Sequence, residues 1–293
     1  MIFDEATLRK LNTLSLVASQ VRAGVIKGER RSTKRGASVE FADYRNYTPG
    51  DDLRRLDWNV YGRLDRPFIK LLEEEEDLAV HVLVDASRSM DWGDGPTHKL
   101  SYALRLGAAL GAVALGAGDR LTAAVLYAEG RLPLFGPYRG SQQLLRLAAF
   151  LENTAPSGVT DLNASLHDYG LASRRPGLLF LISDLFAPTG FQEGLARLQA
   201  RGYEVTVLHT LSPDELDPPL AGDLRLVDIE TGHAQEVSLD SGLRDLYRRR
   251  LLAWQAEIQA YCLKRGIRYM RLSTTTPWDK VLLTEMRKAG VVR

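Results

Sequence analysis

The chain reads as an α/β protein: a mostly parallel sheet flanked by helices, with a small strand-and-loop module at its N-terminal end. Three features predict this. Short apolar runs recur at Ala79 to Val84, Leu121 to Tyr127, Leu178 to Ser183 and Glu204 to His209, as expected for strands buried on both faces. Segments of helical length separate them, and strands alternating with helices argue a parallel sheet covered on both sides. From Gly36 to Lys70 the character differs. Phe41, Tyr44, Tyr47, Trp58, Tyr61 and Phe68 sit among arginines and turn residues without long periodicity, so this stretch reads as a separate module. The domain division that follows is 1–77, a helix plus this module, and 78–293, the α/β domain.

In chain order, Leu8, Leu11, Val17, Val21 and Val25 recur at roughly helical spacing behind Asp4, a plausible N-cap, predicting a helix from Asp4 to Val25. Arg30 to Arg35 follow as a basic loop, and Pro49-Gly50-Asp51 marks a turn. Ala79 to Val84 is the first buried strand. A helix from Thr97 to Ala117 contains the longest apolar stretch, Leu106 to Gly118, rich in Gly and Ala and suited to close packing on a sheet. Leu121 to Tyr127 and Arg131 to Phe135 form a hairpin turning at Glu129-Gly130. Helices fit Ser141 to Asn153 and Leu162 to Ser173. The strand Leu178 to Ser183, a helix from Phe191 to Ala200 and the strand Glu204 to His209 come next. A second hairpin pairs Leu224 to Ile229 with Ala234 to Leu239. A long helix runs from Ser241 to Lys264 and stops at Gly266. The strand Ile267 to Leu272 and a last helix opened by Pro277 in an N1-like position end the chain.

Composition excludes several classes. With 293 residues, 45% hydrophobic and 26% charged, the chain is globular and needs no disulfide or structural zinc. The lone Cys262 permits no internal disulfide. A net charge of +1 gives no global case for nucleic acid. The apolar stretch at 106–118 falls well short of the roughly 20 residues a bilayer needs, and Asp4 and Glu5 interrupt any signal peptide. The expected compartment is the cytoplasm.

The chemistry gathers where strands end. Ala79 to Val84 runs into Asp85-Ala86-Ser87-Arg88-Ser89, Gly158-Val159-Thr160-Asp161 precedes a helix, and Leu178 to Ser183 ends at Asp184. Alternate residues of an extended loop face one way, and the three loops emerge at the C-terminal edge of the sheet, where open α/β sheets bind ligands. Asp85, Ser87, Ser89, Thr160 and Asp184 thus offer a set of hard oxygens. Such donors suit Mg²⁺, with Mn²⁺ and Ca²⁺ as the other fitting cations. Two carboxylates brought together would repel without a cation between them.

This ordered set resembles the metal-ion-dependent adhesion site of von Willebrand factor A domains. Upstream, Glu40-Phe41, Tyr44-Arg45-x-Tyr47, Gly50-Asp51-Asp52, Arg54, Asp57-Trp58 and Lys70 resemble the signature of the bacterial domain of unknown function 58 family. The resemblance implies a von Willebrand factor A-like (Rossmann-type) fold. It also implies Mg²⁺ held directly by Ser87, Ser89 and Thr160, with Asp85 and Asp184 acting through water. An Asp or Glu of a protein partner completes the shell. It further implies a MoxR-type AAA+ ATPase as partner, with this chain as its adaptor or co-factor and no catalysis of its own. Many relatives carry N-terminal membrane helices, which this sequence lacks.

The competing chemistry is a Mg²⁺-dependent phosphoester hydrolase using Asp85. Against it stands Ser87 where a general acid would be expected, and no Lys is evident to complete the site. No Walker-type phosphate loop occurs. The remaining polar residues have ordinary readings. Asp161 caps the helix at Leu162, His81 is a structural histidine within a strand, and His167 and Asp168 lie on a surface. Glu73 to Asp77 form an acidic face at the far edge of the sheet. The module over Gly36 to Lys70 is expected to dock on the α/β domain, with Trp58 and Phe41 partly buried.

Overall fold

The structure, a computed structural model, describes residues 5–11, 13–18, 39–74, 78–127, 132–218, 222–227, 234–239 and 241–293. The chain divides into two compact units, Met1–Gly24 with Leu78–Arg293, and Val25–Asp77.

The larger unit is built on a six-stranded sheet of β3 (Ala79–Asp85), β4 (Arg120–Leu126), β5 (Leu134–Tyr138), β6 (Leu178–Ser183), β7 (Glu204–Leu211) and β10 (Arg268–Ser273), in the order β10-β7-β6-β3-β4-β5. All neighbours are parallel except the β4–β5 hairpin. Counted from β3, this is the doubly wound order in which the chain builds outward one way and then returns to build the other. The switch falls between β3 and β6, so the ends of these two strands flank the crevice.

Alternation along the strands feeds two cores. Val80, Val82 and Val84 of β3 join Phe180 and Ile182 of β6 beneath α3 (Lys99–Gly116). Leu83, Leu179 and Leu181 face the other layer, with α5 (Leu162–Ala172), α6 (Gln192–Ala200) and α8 (Ser241–Lys264). The Gly/Ala composition of α3 has a concrete use. A Cβ on Gly107 would stand 3.2 Å from Val84 Cγ2 and 3.3 Å from Val82 Cγ1, so the helix backbone rides close on β3. The helix α4 (Leu144–Glu152) packs beside α3, and α7 (Pro213–Leu216) is a single turn after β7. The hairpin of β8 (Gly222–Val227) and β9 (Ala234–Leu239) forms its own two-stranded sheet. At the C-terminus Pro277 is the N-cap, not N1, of a helical run over 278–288 whose middle, Val281–Glu285, is a π-helical turn. Among the described residues no helix is long and apolar enough to cross a membrane.

Two expectations fail at the N-terminus. The helix expected over Asp4 to Val25 is only α1 (Glu5–Leu11), with 13–18 irregular; Asp4 and 19–25 lie outside the described residues. Leu14 and Leu16 are buried two residues apart, and Leu16 bridges Val292 antiparallel. The C-terminal backbone offers these residues extended pairing, with Ser15 and Val17 N–H bound to the Arg293 and Val291 carbonyls. For the same reason this segment belongs to the larger unit, although the sequence reading grouped 1–77 together.

The smaller unit pairs β1 (Val39–Asn46) with β2 (Phe68–Glu74) antiparallel, with a bulge at Phe41/Asp43. Between them lies an unexpected short helix, α2 (Trp58–Leu64). Asp57 caps it, accepting the Asn59 and Val60 N–H, and takes the Tyr44 hydroxyl at 2.8 Å. Asp51 accepts Arg45 at 2.8 Å and the Thr48 N–H, and these hydrogen bonds hold its carboxyl down at about 2. Trp58 is 65% exposed rather than partly buried, its ring edge-on to Tyr61 on the same short helix; for Phe41 only the backbone is described.

Candidate functional site at the sheet edge

The last residue of β3 is Asp85, and Ser183 ends the neighbouring β6. Ser183 Oγ donates to Asp85 Oδ2 at 2.6 Å, joining the two strands at the switch point. Asp85 Oδ1 accepts the Ser87 N–H at 2.9 Å, which turns the chain so that Ser87 and Ser89 bring their hydroxyls to 3.0 Å. The third loop is tied to the first by its backbone. Arg88 N–H donates to the Gly158 carbonyl at 2.8 Å and Ser157 N–H to the Ala86 carbonyl at 2.9 Å. That tie sets Thr160, immediately ahead of α5, into the interior, where its Oγ1 is buried without a hydrogen-bond partner. Asp161 caps α5 through the Ala164 N–H, as expected.

Beyond Ser183 the chain makes a sharp turn. Asp184 Oδ1 accepts the Phe186 N–H at 3.0 Å, Ser183 Oγ accepts the Leu185 N–H, and Leu185 sits in the left-handed region with φ 59°. A non-glycine residue there costs about 1–2 kcal/mol, and the turn aims Asp184 inward rather than into solvent.

Asp85 and Asp184 are both buried, Asp184 wholly so. Asp184 meets a residue that the sequence does not announce. Lys99, at the first turn of α3 and 0% exposed, places Nζ 2.6 Å from Asp184 Oδ2 and 2.6 Å from Glu215 Oε1. Glu215 is the last member of a capping box on α7, its Oε2 accepting the Ser212 N–H. The signals available were faint: a lysine at a helix start opposes the helix dipole, and Ser212-x-x-Glu215 is a capping pattern. Neither tells that the two residues meet.

Electrostatics follow from burial. Desolvation, and then the neighbouring Asp184, push the Asp85 carboxyl up to about 6 against the hydrogen bonds from Ser183 and Ser87. Burial also raises Glu215, outweighing the Lys99 ammonium beside it. His209, next to Ser183 in the sheet register, is pushed down to about 4 chiefly by burial.

The donor set fits a hard divalent cation in part. Ser87, Ser89 and Thr160 supply hydroxyls, and the Thr160 oxygen has lone pairs that nothing else uses. Among the described residues no group of three His, Cys, Asp or Glu side chains could hold a metal alone, so an ion here depends on those hydroxyls. Asp184 fits less directly, because Lys99 already engages one of its oxygens. Hydrolase chemistry fits poorly. Lys99 does enter the site, contrary to the sequence reading, but both Asp85 oxygens already accept hydrogen bonds and the residue is only 2% exposed.

Residues 43–257 match the family described as "Protein of unknown function DUF58". The uncharacterized protein Rv1480 of Mycobacterium tuberculosis is 32% identical over 298 aligned residues, covering 99% of this chain and 93% of that protein. An uncharacterized protein of Mycobacterium avium, MAV169, is 31% identical over 165 residues, covering 55% of this chain and 96% of its own length. Among solved structures, the conserved hypothetical protein BatB of Bacteroides thetaiotaomicron is similar at 17% identity and a TM-score of 0.44, covering 72% of this chain and 98% of that one.

Proposed function

The chain belongs to the DUF58 family, and we propose that its sheet-edge oxygen cluster is a divalent-cation site that binds a carboxylate of a protein partner without catalysing a reaction. The observation that carries the reading is the Thr160 hydroxyl, buried and unpartnered in the loop whose backbone is tied to the Asp85–Ser89 loop. Leaving a buried hydroxyl unsatisfied costs about 1–3 kcal/mol, which a ligand to that oxygen would offset. Ser87, Ser89 and Thr160 are the direct donors in this reading. Asp85 and Asp184, held by Ser183 and Lys99, contribute charge from behind. Bound Mg²⁺ or Mn²⁺ would supply the Lewis-acidic point that an Asp or Glu of the partner completes.

The resemblance to von Willebrand factor A-like adhesion sites supports the same reading. It makes a MoxR-type AAA+ ATPase the first partner to test, with this chain as a cytoplasmic adaptor. Calorimetric titration with Mn²⁺ and Mg²⁺ tests the site. Wild-type protein is expected to bind, and Thr160→Val to bind about 10–100-fold more weakly. Equal binding by both removes Thr160 from the site. Association with such an ATPase is expected in Mg²⁺ and lost in EDTA; association unchanged in EDTA overturns the metal-bridged contact for that partner.

A further inference from the structure

Lys99 is an ammonium closed from solvent between two carboxylates, both at 2.6 Å, with the Phe186 ring 5.2 Å away. Taking a lysine and its partners wholly out of water is unfavourable unless the pairing is close and complete. Here it fixes a specific geometry. Asp184 Oδ2 is held by Lys99 and Oδ1 by the Phe186 N–H, so both oxygens are engaged and the carboxylate cannot swing.

We propose that Lys99 is a positioning residue of the oxygen cluster: its ammonium is a resident cation that holds Asp184 when no metal is bound, so that a divalent ion enters as the second cation. The grouping is consistent with this: three carboxyl groups, Asp85, Asp184 and Glu215, gather at this edge, and Lys99 engages two of them. Without Lys99, Asp184 and Glu215 would lose the cation they share, and the fold would come to depend on metal. The second-cation half of this inference rests on the metal-site reading above; the resident-cation half does not.

Thermal melting of wild type, Lys99→Met, Asp184→Asn and the double variant, each in EDTA and in Mg²⁺, separates the two. In EDTA, Lys99→Met is expected to melt several degrees below wild type, and Asp184→Asn to relieve part of that loss by removing a stranded charge. In Mg²⁺, Lys99→Met is expected to gain more than wild type, matching about tenfold tighter Mn²⁺ binding by titration. A Lys99→Met protein as stable as wild type in EDTA overturns the resident cation. Equal Mg²⁺ gains in the two proteins overturn the second-cation role. No gain in either removes the metal-site reading and the second-cation half with it, while the EDTA melts still decide the first half. Should Lys99→Met fold in neither buffer, recovery in Lys99→Met/Asp184→Asn supports the pairing and failure to recover overturns it.

Discussion

The Lys99 ammonium and the Asp184 carboxylate meet at 2.6 Å inside the C-terminal edge of the sheet, with neither side chain open to solvent. A contact of this kind makes Asp184 part of the fold as well as of the candidate site. Asp184→Ala leaves the ammonium with Glu215 alone and frees the Phe186 N–H. Breaking a buried pair from one side costs about 3–5 kcal/mol. Chemical denaturation in EDTA is expected to show a loss of that order, and a loss below about 1 kcal/mol would contradict the buried pairing. Thr160→Val is the better probe of ligand binding, because it removes one oxygen and no hydrogen bond.

Ser183 is the hinge between the two strands that flank the crevice. It donates to Asp85 Oδ2 at 2.6 Å and accepts from Leu185 N–H. Ser183→Ala removes both, leaving a buried carboxylate short of a donor. The expected cost is about 1–3 kcal/mol. The Asp85 carboxyl, already pushed up to about 6, should rise further, since Ser183 is the first of the hydrogen bonds opposing that shift. Carboxyl-carbon NMR titration of Asp85 in the two proteins checks the direction. An unchanged titration would show that the Ser183 hydroxyl does not act on Asp85.

How legible this was in the sequence depends on how local each cause is. The strand Leu178–Ser183 and the helix Ser241–Lys264 fall where the apolar run and the Gly266 stop put them, because both signals act within a few residues. The β3 loop was legible for the same reason: Asp85, Ser87 and Ser89 are neighbours whose hydrogen bonds close within five positions. Lys99 and Glu215 are 116 positions apart, and no local pattern announces that α3 and α7 converge. The Lys99–Asp184 contact is hidden on the same ground, since 85 positions separate the two residues. The N-terminal segment went astray because its partner, Val292, lies at the other end of the chain.

The close approach of α3 to its neighbours gives a graded test. A Cβ on Gly107 would meet Val82 and Val84 at 3.2–3.3 Å, a tight fit, whereas one on Gly111 would overlap Leu147 Cδ2 and stand 3.0 Å from Leu121 Cδ2. Alanine gains about 1 kcal/mol over glycine in a helix interior, while forcing a methyl into a packed core costs about 1–3 kcal/mol. Gly111→Ala is expected to be clearly destabilising and Gly107→Ala close to neutral. Equilibrium unfolding in urea measures both, and the reverse order would mean that Leu147 yields more readily than the β3 valines.

On the opposite face of β3, His81 is buried with its Nδ1 2.6 Å from the Tyr169 hydroxyl, and burial pushes it down to about 4 from an ordinary 6.5. The fold therefore prefers the neutral ring. Above pH 6.5 the ring is neutral whether the chain is folded or not, and its contribution is fully present. As pH falls from 6.5 towards 4 the unfolded chain takes up a proton that the folded chain refuses, and stability drops. Over that window the loss from this one residue is on the order of 3 kcal/mol. Asp85 and Asp119, both raised to about 6 chiefly by burial, act oppositely in the overlapping range, because the folded state holds their protons more tightly. The difference between wild type and His81→Gln isolates the histidine from them. Unfolding free energies from urea titrations at pH 7, 6, 5 and 4 should show wild type losing more stability on acidification than His81→Gln. Parallel curves would mean that His81 protonates in place, and that its burial does not control the acid limb.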